Sequence, residues 1–197
     1  MGVLEARNLT FLDNGPLDIS IQRGECVSLM GPSGSGKTLL LRSLADLDAH
    51  GGEVFFDGTA CSETPAHEWR RKVGFLSAES AWWRETVGEH FNEPPAGLSA
   101  LGFEKDILDR SIEFISSGEK QRLGLLRLLD RRPGALLLDE PTANLDPENT
   151  ARVEELIEHY RMENGVPVLW VCHSAEQAGR VARRTYLLEA GRLVRKT

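Results

Sequence analysis

Two short stretches of this 197-residue chain place side chains in an order suited to handling a polyphosphate. The first, GPSGSGKT (Gly31, Pro32, Ser33, Gly34, Ser35, Gly36, Lys37, Thr38), fits the spacing G-x-x-x-x-G-K-[ST] throughout. Its three glycines allow successive backbone N–H groups to turn inward around phosphate oxygens, and a helix that follows points its positive end at the same anion. The Lys37 ammonium reaches terminal phosphates and the Thr38 hydroxyl suits Mg²⁺. The second stretch, ALLLDE, ends an apolar run in two acids. Asp139 can hold that ion through its water shell, and Glu140 is placed to orient or deprotonate an attacking water. Read singly, the glycines are a helix-capping turn and the acids the end of a strand before Pro141. Their joint occurrence points to phosphate chemistry.

The elements needed to position these groups are legible around them. Strand-like runs VLEARNL, LDISI, ECVSLM and GGEVFFDG alternate with glycine-containing turns in the first third. The spacing predicts a buried helix over 38–47, a short polar helix from about Pro65 to Arg71, and a strand at KVGFL. Residues 76 to 87 read as a polar loop entering a helix, and 86 to 113, with their Pro-Pro pair, as a loop and small helical insert. SSGEKQRLGLLRLLDRR is a helix stopped by Pro133, and GALLLDE has the continuous apolar character of a central parallel strand. A helix carrying Val153, Leu156, Ile157 and Tyr160 ends at Gly165. A buried strand VPVLWVCH, a helix SAEQAGRVAR and a hairpin TYLLEAGRLV complete the chain. Strands alternating with helices imply an α/β parallel-sheet core in one domain spanning 1–197.

Composition narrows the partners. A net charge of −7 with no concentrated basic stripe argues against a nucleic-acid partner. Three cysteines, Cys26, Cys61 and Cys172, form no C-x-x-C pattern, so neither a disulfide framework nor a zinc site is expected. No apolar run approaches the length needed to span a bilayer, and the expectation is a cytosolic, soluble chain.

At ISSGEKQR the chain resembles ABC ATPases: Ser116, Ser117, Gly118 and Glu119 resemble the family's LSGGQ signature. The same residues have the S-x-x-E spacing of a capping box, and both readings can hold. PTANLD (Pro141 to Asp146) looks like the family's D-loop, and His173 stands where its switch histidine belongs. The resemblance covers nearly the whole chain and is similar in detail to small bacterial subunits for iron or metal export. It implies a P-loop NTPase fold of ABC type: a mixed sheet core, an N-terminal antiparallel β subdomain and a small helical subdomain at about 80–130. It further implies ATP and Mg²⁺ as cofactors, Glu140, His173 and Lys37 as catalytic residues, and Thr38 and Asp139 at the metal. Gly31 to Thr38 would bind nucleotide in one protomer while Ser116 to Glu119 close over it from another, giving a homodimer on ATP binding. A separate transmembrane permease subunit would hold the dimer at the inner face of the membrane. A soluble ABC-type ATPase of cofactor assembly is the alternative.

Two positions depart from the family pattern. Ala78 falls where the Q-loop glutamine is expected, with Glu79 adjacent as a substitute. The aromatic that stacks on adenine is replaced by Asp13, with Phe11 two residues earlier. Just beyond the Q-loop position stand Trp82 and Trp83, in the region that receives the membrane partner's coupling helix in this family. One ring is expected to pack inside and at least one to face that partner.

Overall fold

The computed structural model describes residues 2–196. Antiparallel strands β1 (Leu4–Phe11), β2 (Asn14–Ile21), β4 (Gly51–Phe56) and β5 (Thr59–Ala60) form a four-stranded sheet in the order β2-β1-β4-β5. The second sheet has six strands, ordered β10-β9-β3-β8-β7-β6. Its parallel members are β3 (Cys26–Met30), β6 (Val73–Leu76), β7 (Ala135–Leu138), β8 (Val168–Val171) and β9 (Arg184–Glu189), and β10 (Arg192–Arg195) closes it as the antiparallel arm of a hairpin. The expected mixed core is therefore present. Strands β7 and β8 are buried at every position, as their unbroken apolar runs require for a sheet covered on both faces.

Helix α1 (Lys37–Leu44) follows β3 and buries Leu40, Leu41 and Leu44 in a core shared with Leu9, Ile21, Val27, Val54 and Trp69. A second core lies around α3 (Ser117–Asp130), with Leu123, Leu126, Val153, Ile157 and Trp170. Short α2 (Ala66–Lys72), long α4 (Pro147–Asn164) and α5 (Ala175–Val181) complete the α/β layers. Gly165 takes a left-handed conformation at φ 63° and ends α4, as a C-terminal glycine does.

The helical insert differs from expectation. Between residues 80 and 130 only α3 is α-helical. Before it the chain makes separate 3₁₀ turns at Gly88–His90, Ser99–Leu101, Lys105–Asp109 and Ile112–Phe114. Pro94, Pro95 and Gly97 interrupt any longer run. What orders the segment is tertiary burial of Val87, Leu98, Leu101, Phe103, Ile107 and Ile115 in the second core. Among the described residues no helix is long and apolar enough to cross a membrane.

Candidate functional site

The phosphate loop leaves the carboxyl end of β3 and runs into α1. Gly31 passes so close to the Leu188 carbonyl that a Cβ there would collide with backbone. Gly36, the residue capping α1, lies at φ 97°, and a Cβ on it would meet Asn14 at 3.1 Å and Phe11 at 3.3 Å. Both positions thus require glycine for different reasons, one for approach and one also for backbone sign. The opening of α1 has no side-chain cap and no acid in its first turn, so its N–H groups remain available to an anion. Ser35 Oγ is shielded from solvent without a hydrogen-bond partner. Lys37 is buried, and its Nζ donates to the carbonyls of Gly31 and Pro32 at 2.9 and 3.0 Å, holding the ammonium across the mouth of the loop. Free helix N–H groups, an orphaned hydroxyl and a confined ammonium can all donate to an anion. They fit a polyphosphate.

The acids approach from β7. The Asp139 N–H donates to the Leu76 carbonyl at 2.9 Å, extending the β6–β7 ladder by one residue and placing the carboxylate at the strand end. Thr38 Oγ1 donates to Asp139 Oδ2 at 2.8 Å, joining two residues 101 positions apart. Burial raises the Asp139 pKa, Thr38 and then Lys37 oppose that, and the neighbouring Glu140 charge adds to it. A carboxylate desolvated beside a hydroxyl and a second acid is the oxygen-rich environment that suits a hard divalent cation. Glu140 takes a left-handed backbone at φ 51°, a sparsely populated region for a non-glycine residue. Its Oε2 lies 2.6 Å from His173 Nε2. The structure thus gathers Lys37, Thr38, Asp139, Glu140 and His173 beyond the carboxyl ends of the interior strands β3, β7 and β8.

Ser116 to Glu119 lie elsewhere. Ser116 Oγ accepts from the Glu119 N–H while the Glu119 carboxylate accepts from the Ser116 N–H at 2.9 Å, a complete capping box on α3. Burial works against the Glu119 charge, but the Ser116 hydroxyl and amide, with Arg110 and Arg122, outweigh it and hold the pKa below the usual range. A Cβ on Gly118 would lie 3.1 Å from Leu145 and 3.6 Å from the Asn144 carbonyl, so this turn packs on the PTANLD segment. That segment is held by Gln177 Nε2, which donates to Thr142 Oγ1 at 2.7 Å, and by Asp146, which caps α4. Among the described residues no hydrogen bond or ion pair joins 116–119 to 31–38.

Leu12, His90 and Arg127 gave no signal in the sequence. Leu12, at the tip of the β1–β2 turn with φ 47°, is 82% exposed, whereas Phe11 is buried against Gly36. Leu12 and Asp13 are therefore the side chains this turn presents to solvent. Ala78 and Glu79 are both exposed, and the Glu79 carbonyl accepts from Ser77 Oγ. Trp82 packs against the second core and Trp83 is 61% exposed. Arg127 stacks over both, with its guanidinium carbon 4.4 and 4.7 Å from the ring centroids, and His90 meets both edge-on at 4.8 and 4.9 Å. Neither His90 nor Arg127 has a spacing that announces this role: Arg127 reaches the two rings from 45 and 44 positions away, and His90, eight and seven positions on, meets them only because the intervening chain turns back.

Residues 15–143 match the family model described as ABC transporter. The Bacillus subtilis (strain 168) protein YjkB is 35% identical over 187 residues, covering 88% of this chain and 74% of the relative. The aliphatic sulfonates import ATP-binding protein SsuB of Yersinia pestis is 34% identical over 199 residues, covering 94% and 70%. In fold the chain is similar to the ATP-binding cassette MJ0796, solved as a dimer in a post-hydrolysis state bound to ADP and Pi, with a TM-score of 0.83, 22% identity and 98% of each chain covered. The matched span begins before the phosphate loop and ends beyond Glu140, so it contains the loop and the acid pair, while His173 lies outside it. The chain belongs to the ABC transporter family, as an ATP-binding subunit that hydrolyses ATP to drive transport.

Proposed function

We propose that this chain works as a homodimer on a separate transmembrane permease at the inner face of the membrane, with two ATP molecules between protomers. Residues Gly31 to Thr38 hold the phosphates, Thr38 and Asp139 hold Mg²⁺, and Ser116 to Glu119 of the second copy complete the site. The observation that carries this reading is the separation of the two halves. Lys37, Thr38, Asp139, Glu140 and His173 converge, yet the α3 start, whose N–H groups suit an anion, is packed on Asn144 and Leu145 instead. A second chain related head to tail brings the missing half.

Mg²⁺, when bound, supplies charge neutralisation of the phosphate oxygens. The residues do the remainder. Lys37 leaves its loop carbonyls and directs its ammonium at the terminal phosphates. Thr38 Oγ1 and the Asp139 carboxylate, now 2.8 Å apart, would hold that ion between them. Glu140 Oε2 accepts the proton of the attacking water, and His173 Nε2, within 2.6 Å, fixes the direction of that carboxylate. At the membrane side, Trp83 and the Arg127 stack form the docking surface. Ser80 Oγ, Trp82 Nε1 and Arg127 Nη1 are shielded from solvent beside that stack without partners.

The test is Glu140→Gln. It preserves shape while removing the accepting charge, so hydrolysis should fall by about 10²–10⁴-fold, and ATP with Mg²⁺ should hold a dimer seen by light scattering. Turnover at the parent rate, or a monomer at saturating ATP, overturns the assignment.

A further inference from the structure

At the opposite end of α1 from the phosphate loop, three side chains with metal-ligating chemistry converge. Asp46 follows the last turn of α1, His50 stands immediately before β4, and Cys61 opens the 3₁₀ turn Cys61–Glu63 after β5. One donor atom from each lies within 4.8 Å of the other two. Around a zinc-like ion with bonds of about 2.0–2.3 Å, tetrahedral donors sit roughly 3.3–3.8 Å apart, so a contraction of about 1 Å brings the three into range.

The surroundings hold these groups in place. Asp46 has a left-handed backbone at φ 55°, and its N–H donates to the Ser43 carbonyl at 3.1 Å. Trp69, fully buried, donates its indole N–H to the Leu44 carbonyl at 3.0 Å, pinning α2 against the end of α1. Arg70 Nη2 stands 3.5 Å from one Asp46 carboxylate oxygen, leaving the other for a cation. Cys61 is buried, and its carbonyl accepts from the Thr64 N–H at 3.0 Å.

A second, independent observation concerns His50 itself. His50 Nδ1 is shielded from solvent and has no hydrogen-bond partner. A buried polar atom left unsatisfied gives up its hydration with nothing in return, so a ring nitrogen in this state marks a missing partner. The charges facing the cluster are mixed, with the acid Glu53 on one side and the Arg70 guanidinium beside Asp46 on the other.

We propose that Asp46, His50 and Cys61 bind a borderline divalent cation of the zinc class, which ties the C-terminal end of the phosphate-loop helix to the antiparallel sheet. The donor set decides the class: one carboxylate oxygen, one imidazole nitrogen and one thiolate suit Zn²⁺ or Co²⁺, whereas Mg²⁺ and Ca²⁺ demand oxygen. Binding transfers the Cys61 proton to solvent and leaves one coordination position to water. The cysteine spacing hides the site because the remaining donors come from other residue types.

The full chain, stripped of metal and kept free of Mg²⁺, is titrated with Co²⁺ and then with Zn²⁺. One Co²⁺ per chain should produce thiolate-to-metal charge-transfer absorption that Zn²⁺ abolishes, and Zn²⁺ should raise the melting temperature. A cation held at Thr38 and Asp139 gives no such band, having no thiolate. His50→Ala and Asp46→Asn should each weaken binding by more than about tenfold, a loss seen even for outer-shell partners of metal sites. Cys61→Ser should remove the band. Absence of the band in the parent overturns the proposal, as does its survival in Cys61→Ser, which would assign it to Cys26 or Cys172. If Cys61→Ser does not fold, His50→Ala and Asp46→Asn decide: parent-like affinity in both overturns the site.

Discussion

Replacing Trp83 with alanine separates docking from folding, because its ring is largely outside the core. Trp83 is 61% exposed; of about 250 Å² that a tryptophan can bury, about 150 Å² is then open to a partner. At roughly 25 cal/mol per Å² its full coverage is worth at most about 4 kcal/mol, and truncation of a central anchor costs about 2 kcal/mol or more. Affinity for the membrane subunit should therefore fall by roughly 30-fold or more. Folding loses only the ring's contacts with Arg127 and His90, about 0.5–1 kcal/mol. Trp82→Ala has the opposite profile. That ring packs on the second core, so its loss should cost about 2–3 kcal/mol of stability, within reach of the cost for buried aromatic truncations. Purified permease is immobilised, and binding of both variants is measured beside their thermal unfolding, with ATP affinity as control. Parent-like binding by Trp83→Ala, or a stability loss equal to that of Trp82→Ala, refutes the division of roles.

Lys37→Ala should remain folded yet lose most ATP affinity in calorimetry, since backbone dipoles alone then face the phosphate charge; unchanged affinity contradicts its role. Glu119→Ala should cost about 1 kcal/mol at neutral pH through loss of the capping box. The Glu119 pKa is depressed in the folded state, so this contribution is present above the ordinary glutamate value near 4.3 and is lost as pH falls through the lower folded value. Parent and variant unfolding curves should therefore converge in acid, and a constant gap counts against it. Ala78→Gln should raise phosphate release by the isolated subunit and Glu79→Ala should lower it if Glu79 stands in for the missing amide. Parent-like release by Glu79→Ala removes that substitution.

The sequence by itself determined what local chemistry and contiguous spacing specify. GPSGSGKT demands a glycine-rich loop ahead of a helix, ALLLDE an acid pair at a buried strand end, and S-x-x-E a capped helix start, and each is realised. The alternation of strands and helices was legible for the same reason, since periodicity and caps act within a few residues. Tertiary structure alone decided how the segments share sheets: β4, although it follows α1, leaves the parallel sheet to pair with β1, because strand partners are chosen by burial across the whole chain. It replaced the expected helical insert with 3₁₀ turns, where core burial rather than helical periodicity orders the backbone. It also decided that Leu12 and not Phe11 faces solvent, that Trp82 turns inward and Trp83 outward, and that Arg127 and His90 stand beside them. The trio Asp46, His50 and Cys61 belongs to the same class, for its residues become neighbours only when α1, β4 and β5 have packed.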